Sequence, residues 1–175
     1  MKKIFVIAFI LFLGLFVFSC KKTSTPTPGP PKIIFKDFNV VNEAKAYFHF
    51  DVTDPDGDIG LKNSDTTGSF AYGSFYYNDF HMEILQYDSN TNTFISGVYV
   101  VTHSTTPNDS FGVFKYRIPY IDIKAKDKAL TAEIHIEMAG FRPSSLMKRF
   151  KYKFYIFDRA HNKSNVEITP EFNYP

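Results

Sequence analysis

The sequence predicts an all-β protein, an antiparallel β-sandwich of seven to eight strands, and three observations carry that prediction. From Lys32 onward no apolar pattern follows a helical period, whereas several stretches alternate apolar and polar residues with a period of two. The stretches are short and are separated by turn-forming clusters, the spacing of a sandwich built from hairpins. The 175 residues include 20 Phe and 11 Tyr, enough ring mass for a single core in a single domain.

The strands follow in order. Residues 33–40 form a first, short strand. In residues 44–53 Ala46, Phe48, Phe50 and Val52 take one face, and Tyr47, His49 and Asp51 take the other. Shorter strands are expected at 80–87, 94–102 and 112–123. Residues 130–138 set Leu130, Ala132, Ile134, Ile136 and Met138 against Thr131, Glu133, His135 and Glu137. Residues 150–157 turn Phe150, Tyr152, Phe154 and Ile156 inward and Lys151 and Lys153 outward, and 165–172 closes the set. Turn residues at 88–92, 106–110 and 126–128 separate these strands, and a single helical turn capped by Ser144 or Ser145 is expected within 140–146. Composition agrees. With 44% hydrophobic and 22% charged residues, wholesale disorder is excluded. The 20 Lys/Arg are offset by 18 Asp/Glu, which argues against an extended nucleic-acid surface.

The N-terminus has a different logic. Met1-Lys2-Lys3 is a short positive region, and Ile4 to Phe18 is an unbroken apolar run. A bilayer core about 30 Å thick needs roughly 20 helical residues, so this run suits a signal peptide, residues 1–19, better than a span. It ends in Val17-Phe18-Ser19-Cys20, which resembles a bacterial lipobox, and Cys20 is the single cysteine of the chain. That resemblance implies a thioether-linked diacylglycerol and an acylated amino group, hence palmitate-type lipidation, on Cys20. Several acyl chains together give stable anchoring, at about 0.8 kcal/mol for each buried methylene. Residues 20–31 then hold the lipidated Cys and a Pro/Thr-rich linker with four of the ten prolines, an extended tether reaching roughly 30 Å at about 3.1 Å per residue. The folded domain is residues 32–175.

Two segments resemble a known family. Phe50-Asp51-Val52-Thr53-Asp54-Pro55-Asp56-Gly57-Asp58-Ile59-Gly60 looks like the start of Bacteroidetes lipoprotein domains with an immunoglobulin-like or cadherin-like sandwich. Tyr155-Ile156-Phe157-Asp158-Arg159-Ala160-His161-Asn162-Lys163-Ser164-Asn165 resembles their last hairpin, with His161 where Gly is usual. The resemblance implies an immunoglobulin-like β-sandwich on an envelope lipoprotein of the outer membrane. Residues 21–24 lack the acidic signal that often follows the lipidated Cys of surface-exported members, which favours the periplasmic face.

Two side-chain groups are candidates to carry chemistry. Asp54, Asp56 and Asp58 place hard oxygen ligands at alternate positions with Gly57 between them, the ligand type Ca²⁺ selects. If the strands at 44–54 and 150–158 end on the same side of an immunoglobulin-like sandwich, Asp158 joins them as a fourth ligand. The alternative is a turn in which these carboxylates cap backbone N–H groups. The ring-rich stretch Ser69 to Phe80 offers Tyr72, Tyr76 and Tyr77 as a ligand-binding patch for a glycan or a protein, against the alternative that its rings cover an open end of the sandwich. Nucleophile elbows, phosphate-cradling loops and zinc-helix motifs are missing, and the five histidines are scattered, His49 and His135 on polar strand faces. The expected function is therefore a membrane-anchored, non-catalytic envelope lipoprotein acting as a protein-binding or structural module. The alternatives are a glycan-binding lipoprotein of a carbohydrate-uptake system and a lipid-anchored hydrolase.

Overall fold

The computed structural model describes residues 27–96, 99–100, 110–111, 113–122, 129–141 and 147–174. The signal peptide, Cys20, the turns at 106–110 and 126–128, and the helical turn expected within 140–146 lie wholly or mainly outside them. Among the described residues no helix is long and apolar enough to cross a membrane.

The chain is all-β and antiparallel. One sheet holds β1 (Lys32–Asn42), β2 (Lys45–Asp54) and β8 (Leu130–Ala139) in the order β1-β2-β8. The other is built on β9 (Arg149–Ile156) and β3 (Phe80–Asp88). Along the free edge of β3, β7 (Val113–Tyr116) pairs its first half and β4 (Thr93–Ser96) its second. Along the free edge of β9, β10 (Glu167–Ile168) and β11 (Phe172–Asn173) pair in turn. A separate pair joins β5 (Tyr99–Val100) and β6 (Ser110–Phe111). The strand expected over 165–172 is divided into two short pieces, and within 94–102 and 112–123 the described residues hold β4, β5 and β7. All of these pieces lie at sheet edges, where only one neighbour holds a strand straight.

The central strands match their sequence pattern residue for residue. Ala46, Phe48, Phe50 and Val52 of β2 are fully buried, as are Phe150, Tyr152, Phe154 and Ile156 of β9. The two sheets meet through rings. Phe48 sets its edge on Phe154 at 4.9 Å and 86° and on Tyr152 at 5.9 Å and 89°, while Phe50 stacks on Phe80 at 5.5 Å. Edge-to-face pairs add about 0.5–1.5 kcal/mol each beyond the area they bury. Tyr152 is buried with its polar tip satisfied, because its hydroxyl donates to the Phe141 carbonyl at 2.5 Å. The β1 edge is covered in part by Asn165, whose side chain accepts from the Ile33 amide at 2.8 Å and donates to the Ile33 carbonyl at 2.9 Å.

Asp79, one residue before β3, ties three strands together. Its Oδ1 accepts the Ile118 amide at 2.7 Å and its carbonyl accepts the Phe157 amide at 2.8 Å. Its Oδ2 is buried without a partner, and burial pushes the carboxyl up to about 7 from an ordinary 3.8. A carboxyl whose folded value is raised contributes stability that is full below the unfolded value and lost as pH rises towards the folded one. The loss is about 1.4 kcal/mol per pH unit between those limits. Urea unfolding of the chelated protein should therefore show stability falling from pH 5 to pH 7, and Asp79→Asn should make that slope shallower. An unchanged slope in the variant would place the proton elsewhere.

Candidate functional site

The phase of two core strands builds the acidic cluster. In β2 the inward positions are 46, 48, 50 and 52, so the next inward position is Asp54; in β9 they are 150, 152, 154 and 156, and the next is Asp158. The alternation that buries the phenylalanines therefore drives two carboxylates into the same end of the sandwich. Asp54 is 1% exposed and Asp158 is 2% exposed. The loop after Asp54 then turns back through Gly57 at φ 64°, a left-handed conformation that glycine adopts without a Cβ penalty. This turn brings Asp56 and Asp58 beside Asp54. One carboxylate oxygen from each of the three lies within 4.8 Å of the others.

The oxygens divide into satisfied and orphaned ones. Asp54 Oδ2 accepts the Asp58 amide at 2.7 Å, the contact the capped-turn alternative requires. Asp54 Oδ1, Asp56 Oδ1 and Asp58 Oδ1 are buried and have no donor. Asp158 stands beside the trio and has both oxygens engaged, Oδ1 by the Asn162 amide at 2.7 Å and Oδ2 by Asn162 Nδ2 at 2.8 Å. The structure thus gathers Asp54, Asp56 and Asp58 as one ligand set and gives Asp158 the role of a hairpin cap at its side. Burial raises Asp54 to about 7 and Asp58 to about 6, helped by the charges of their neighbours including Asp158, and burial raises Asp158 as well. The nearest guanidinium does not neutralise them by pairing, since Arg159 is ion-paired with Asp65. Three carboxylates that converge within 4.8 Å, each with an orphaned oxygen, fit a hard cation, and a carboxylate set of this kind suits Ca²⁺.

The ring-rich segment lies against the same hairpin. It forms two single 3-10 turns, Gly68–Phe70 and Phe75–Tyr77, rather than a fully irregular loop. Tyr76 stacks on His161 at 3.9 Å and 14° and sets its edge on Phe157 at 5.1 Å. Tyr77 lies under the Arg117 guanidinium at 4.7 Å, and its carbonyl accepts from Arg117 Nη1 at 2.5 Å. Both rings are half-buried and act as packing, so of the three tyrosines proposed as ligand contacts only Tyr72, 87% exposed, faces solvent. Phe75, 57% exposed, is its exposed neighbour in the segment.

His161 and the His49–His135 pair are placed by structure where sequence reasoning gave them no partner. His161 takes a left-handed turn conformation, at φ 68°, that a side chain rarely adopts. Its ring contact with Tyr76 and the 3.1 Å contact between Nε2 and Ser69 Oγ offset the strain. His49 and His135 sit directly opposite in the β2–β8 register with rings 4.2 Å apart, and each has a carboxylate beside it, Asp37 at 2.6 Å and Glu133 at 3.0 Å. Alternation alone reveals that each faces outward; only register shows that they meet.

The balance at His161 is testable. His161→Ala keeps the left-handed strain and removes the ring, so it should lower stability by about 1–2 kcal/mol. His161→Gly removes both and should fall between the parent and the alanine variant in a urea titration. A glycine variant less stable than the alanine one would mean that the turn is not strained. Compared with protein-family models, with curated proteins and with solved structures, the chain matches none.

Proposed function

We propose that the chain is a membrane-anchored, non-catalytic envelope lipoprotein of the Bacteroidetes type, a protein-binding or structural module held at the outer membrane through Cys20. The observation that carries the non-catalytic part is the acidic cluster. Asp54 is 1% exposed, Asp56 and Asp58 are half-buried, and the cluster sits between the loop after β2 and the hairpin after β9, so an ion held there would brace the two. Ca²⁺ bound by Asp54, Asp56 and Asp58 would relieve their mutual repulsion, which at about 4 Å is worth roughly 4 kcal/mol per pair at an effective dielectric near 20. It would also fix the loop after β2 against the hairpin after β9, where the Arg159 amide already donates to the Asp58 carbonyl at 3.2 Å. A second reading, a glycan-binding lipoprotein, is favoured by the outward rings of Tyr72 and Phe75.

Two measurements test the proposal. Binding to the folded state alone stabilises by about 2.7 kcal/mol at a hundredfold excess over Kd, so millimolar Ca²⁺ should raise the melting temperature of the full chain in mild detergent by several degrees. Asp56→Asn combined with Asp58→Asn should abolish the increment, and Mg²⁺ should give a smaller one. Identical melting curves in Ca²⁺ and in chelator would return the cluster to the capped-turn alternative. For the anchor, Cys20→Ser should release the protein from the membrane fraction and abolish labelling by a palmitate analogue. Labelling that survives the change would remove Cys20 as the lipid site.

A further inference from the structure

The outer face of the second sheet carries a groove far from neutral in its chemistry. Register sets two rows of side chains across it: Lys115 of β7, His81 of β3 and Tyr155 of β9 in one, and Val113, Glu83 and Lys153 in the next. With Phe75 and Ser96 these residues line a cavity of about 450 Å³, within the range of small-ligand sites. Three rings line up in it. His81 lies parallel to Tyr155 at 5.3 Å and 5°, and Phe75 stacks on His81 at 5.2 Å and 30°.

The charges are unbalanced. Lys153 pairs with Glu83 at 2.8 Å, but Lys115 and Lys163 make no ion pair among the described residues, and Lys163 Nζ rests 3.8 Å from the centre of the Tyr155 ring. His81 adds no charge near neutrality: burial lowers its basicity first, and the charges of Lys115 and Lys163 lower it further. The floor of the groove is thus aromatic, its margin holds two uncompensated ammonium groups, and Glu83 and Ser96 supply polar partners.

We propose that this groove binds an anionic sugar, its ring face against the exposed side of Phe75 and its carboxylate or sulfate drawn to Lys115 and Lys163. Ring C–H faces pack on aromatic side chains, sugar hydroxyls suit Glu83 and Ser96, and the unpaired lysines select the anion. A nucleic-acid strand fits less well, because Glu83 would oppose a row of phosphates and, in the outward basic row of β9, Arg149 and Lys153 are already ion-paired with Glu171 and Glu83. The inference names the ligand class of the glycan-binding reading and rests on it, but it needs neither Tyr72 nor the calcium cluster.

Calorimetric titration of the full chain in mild detergent tests it, with tetragalacturonate and a sulfated disaccharide as the acidic probes, maltotetraose as the neutral one and oligo(dT) as the nucleic acid. Saturable binding of at least one acidic probe is expected, with maltotetraose silent. Lys115→Ala combined with Lys163→Ala should weaken it tenfold or more, and Phe75→Ala should weaken it comparably, with urea unfolding of each variant confirming that it is folded at the titration temperature. The response to tetragalacturonate or to the sulfated probe tells carboxylate from sulfate. Equal binding of maltotetraose, or lysine variants that bind as the parent does, would overturn the anion requirement while leaving the glycan reading standing. Silence towards all the sugars across a broad glycan array would remove both, and tighter binding of oligo(dT) would replace the sugar with a nucleic acid.

Discussion

Asp54 occupies the last inward position of β2, and much of this molecule depends on that placement. The strand cannot bury Phe48 and Phe50 without also burying Asp54, because side-chain direction in a strand alternates strictly. A register slip of one residue would expose the carboxylate and with it every inward ring of β2, so the core holds the charge in place. The same constraint acts on Asp158 at the end of β9. Two strands from opposite sheets thus deliver carboxylates to one end of the sandwich, and the loops there are shaped around that fact.

Around the cluster the hydrogen bonds are arranged to satisfy some oxygens and leave others open. The Asp58 amide caps Asp54, Asn162 caps Asp158, and Arg159 is held on Asp65. A purely structural turn would be expected to place donors on the remaining oxygens as well, since a buried carboxylate without partners is costly. Here one oxygen of each of Asp54, Asp56 and Asp58 is left without a donor.

Sequence legibility followed the strength of the alternation. β1, β2, β3, β8 and β9 are readable because one face is solvated or because rings recur at every second residue, and the proximity of Asp158 to the Asp54 loop followed from assigning β2 and β9 to their places in the sandwich. The edge strands β4, β7, β10 and β11 are two to four residues long and too short for a period to register. Contacts between segments distant in sequence were invisible: the apposition of His49 and His135 and the row Lys115–His81–Tyr155, both set by register, and the Arg117 guanidinium over Tyr77. Asp79 gave no signal either, because a lone aspartate before a strand reads as a turn residue until its Oδ1 is seen holding the Ile118 amide.

The ring-rich segment shows how the two ends of this argument join. Tyr76 on His161 fastens residues 68–77 to the hairpin that carries Asp158, while Phe75 reaches from the same short 3-10 turn to His81 and Phe157. One turn of three residues therefore touches both the cluster's hairpin and the outer groove. Rings at successive positions of a 3-10 turn point about a third of a turn apart, so Phe75 and Tyr76 share Phe157 but diverge beyond it, Phe75 to His81 and Tyr76 to His161. Ring contacts thus run without a gap from His161 through Tyr76 and Phe157 to Phe75, the most exposed aromatic wall of the groove.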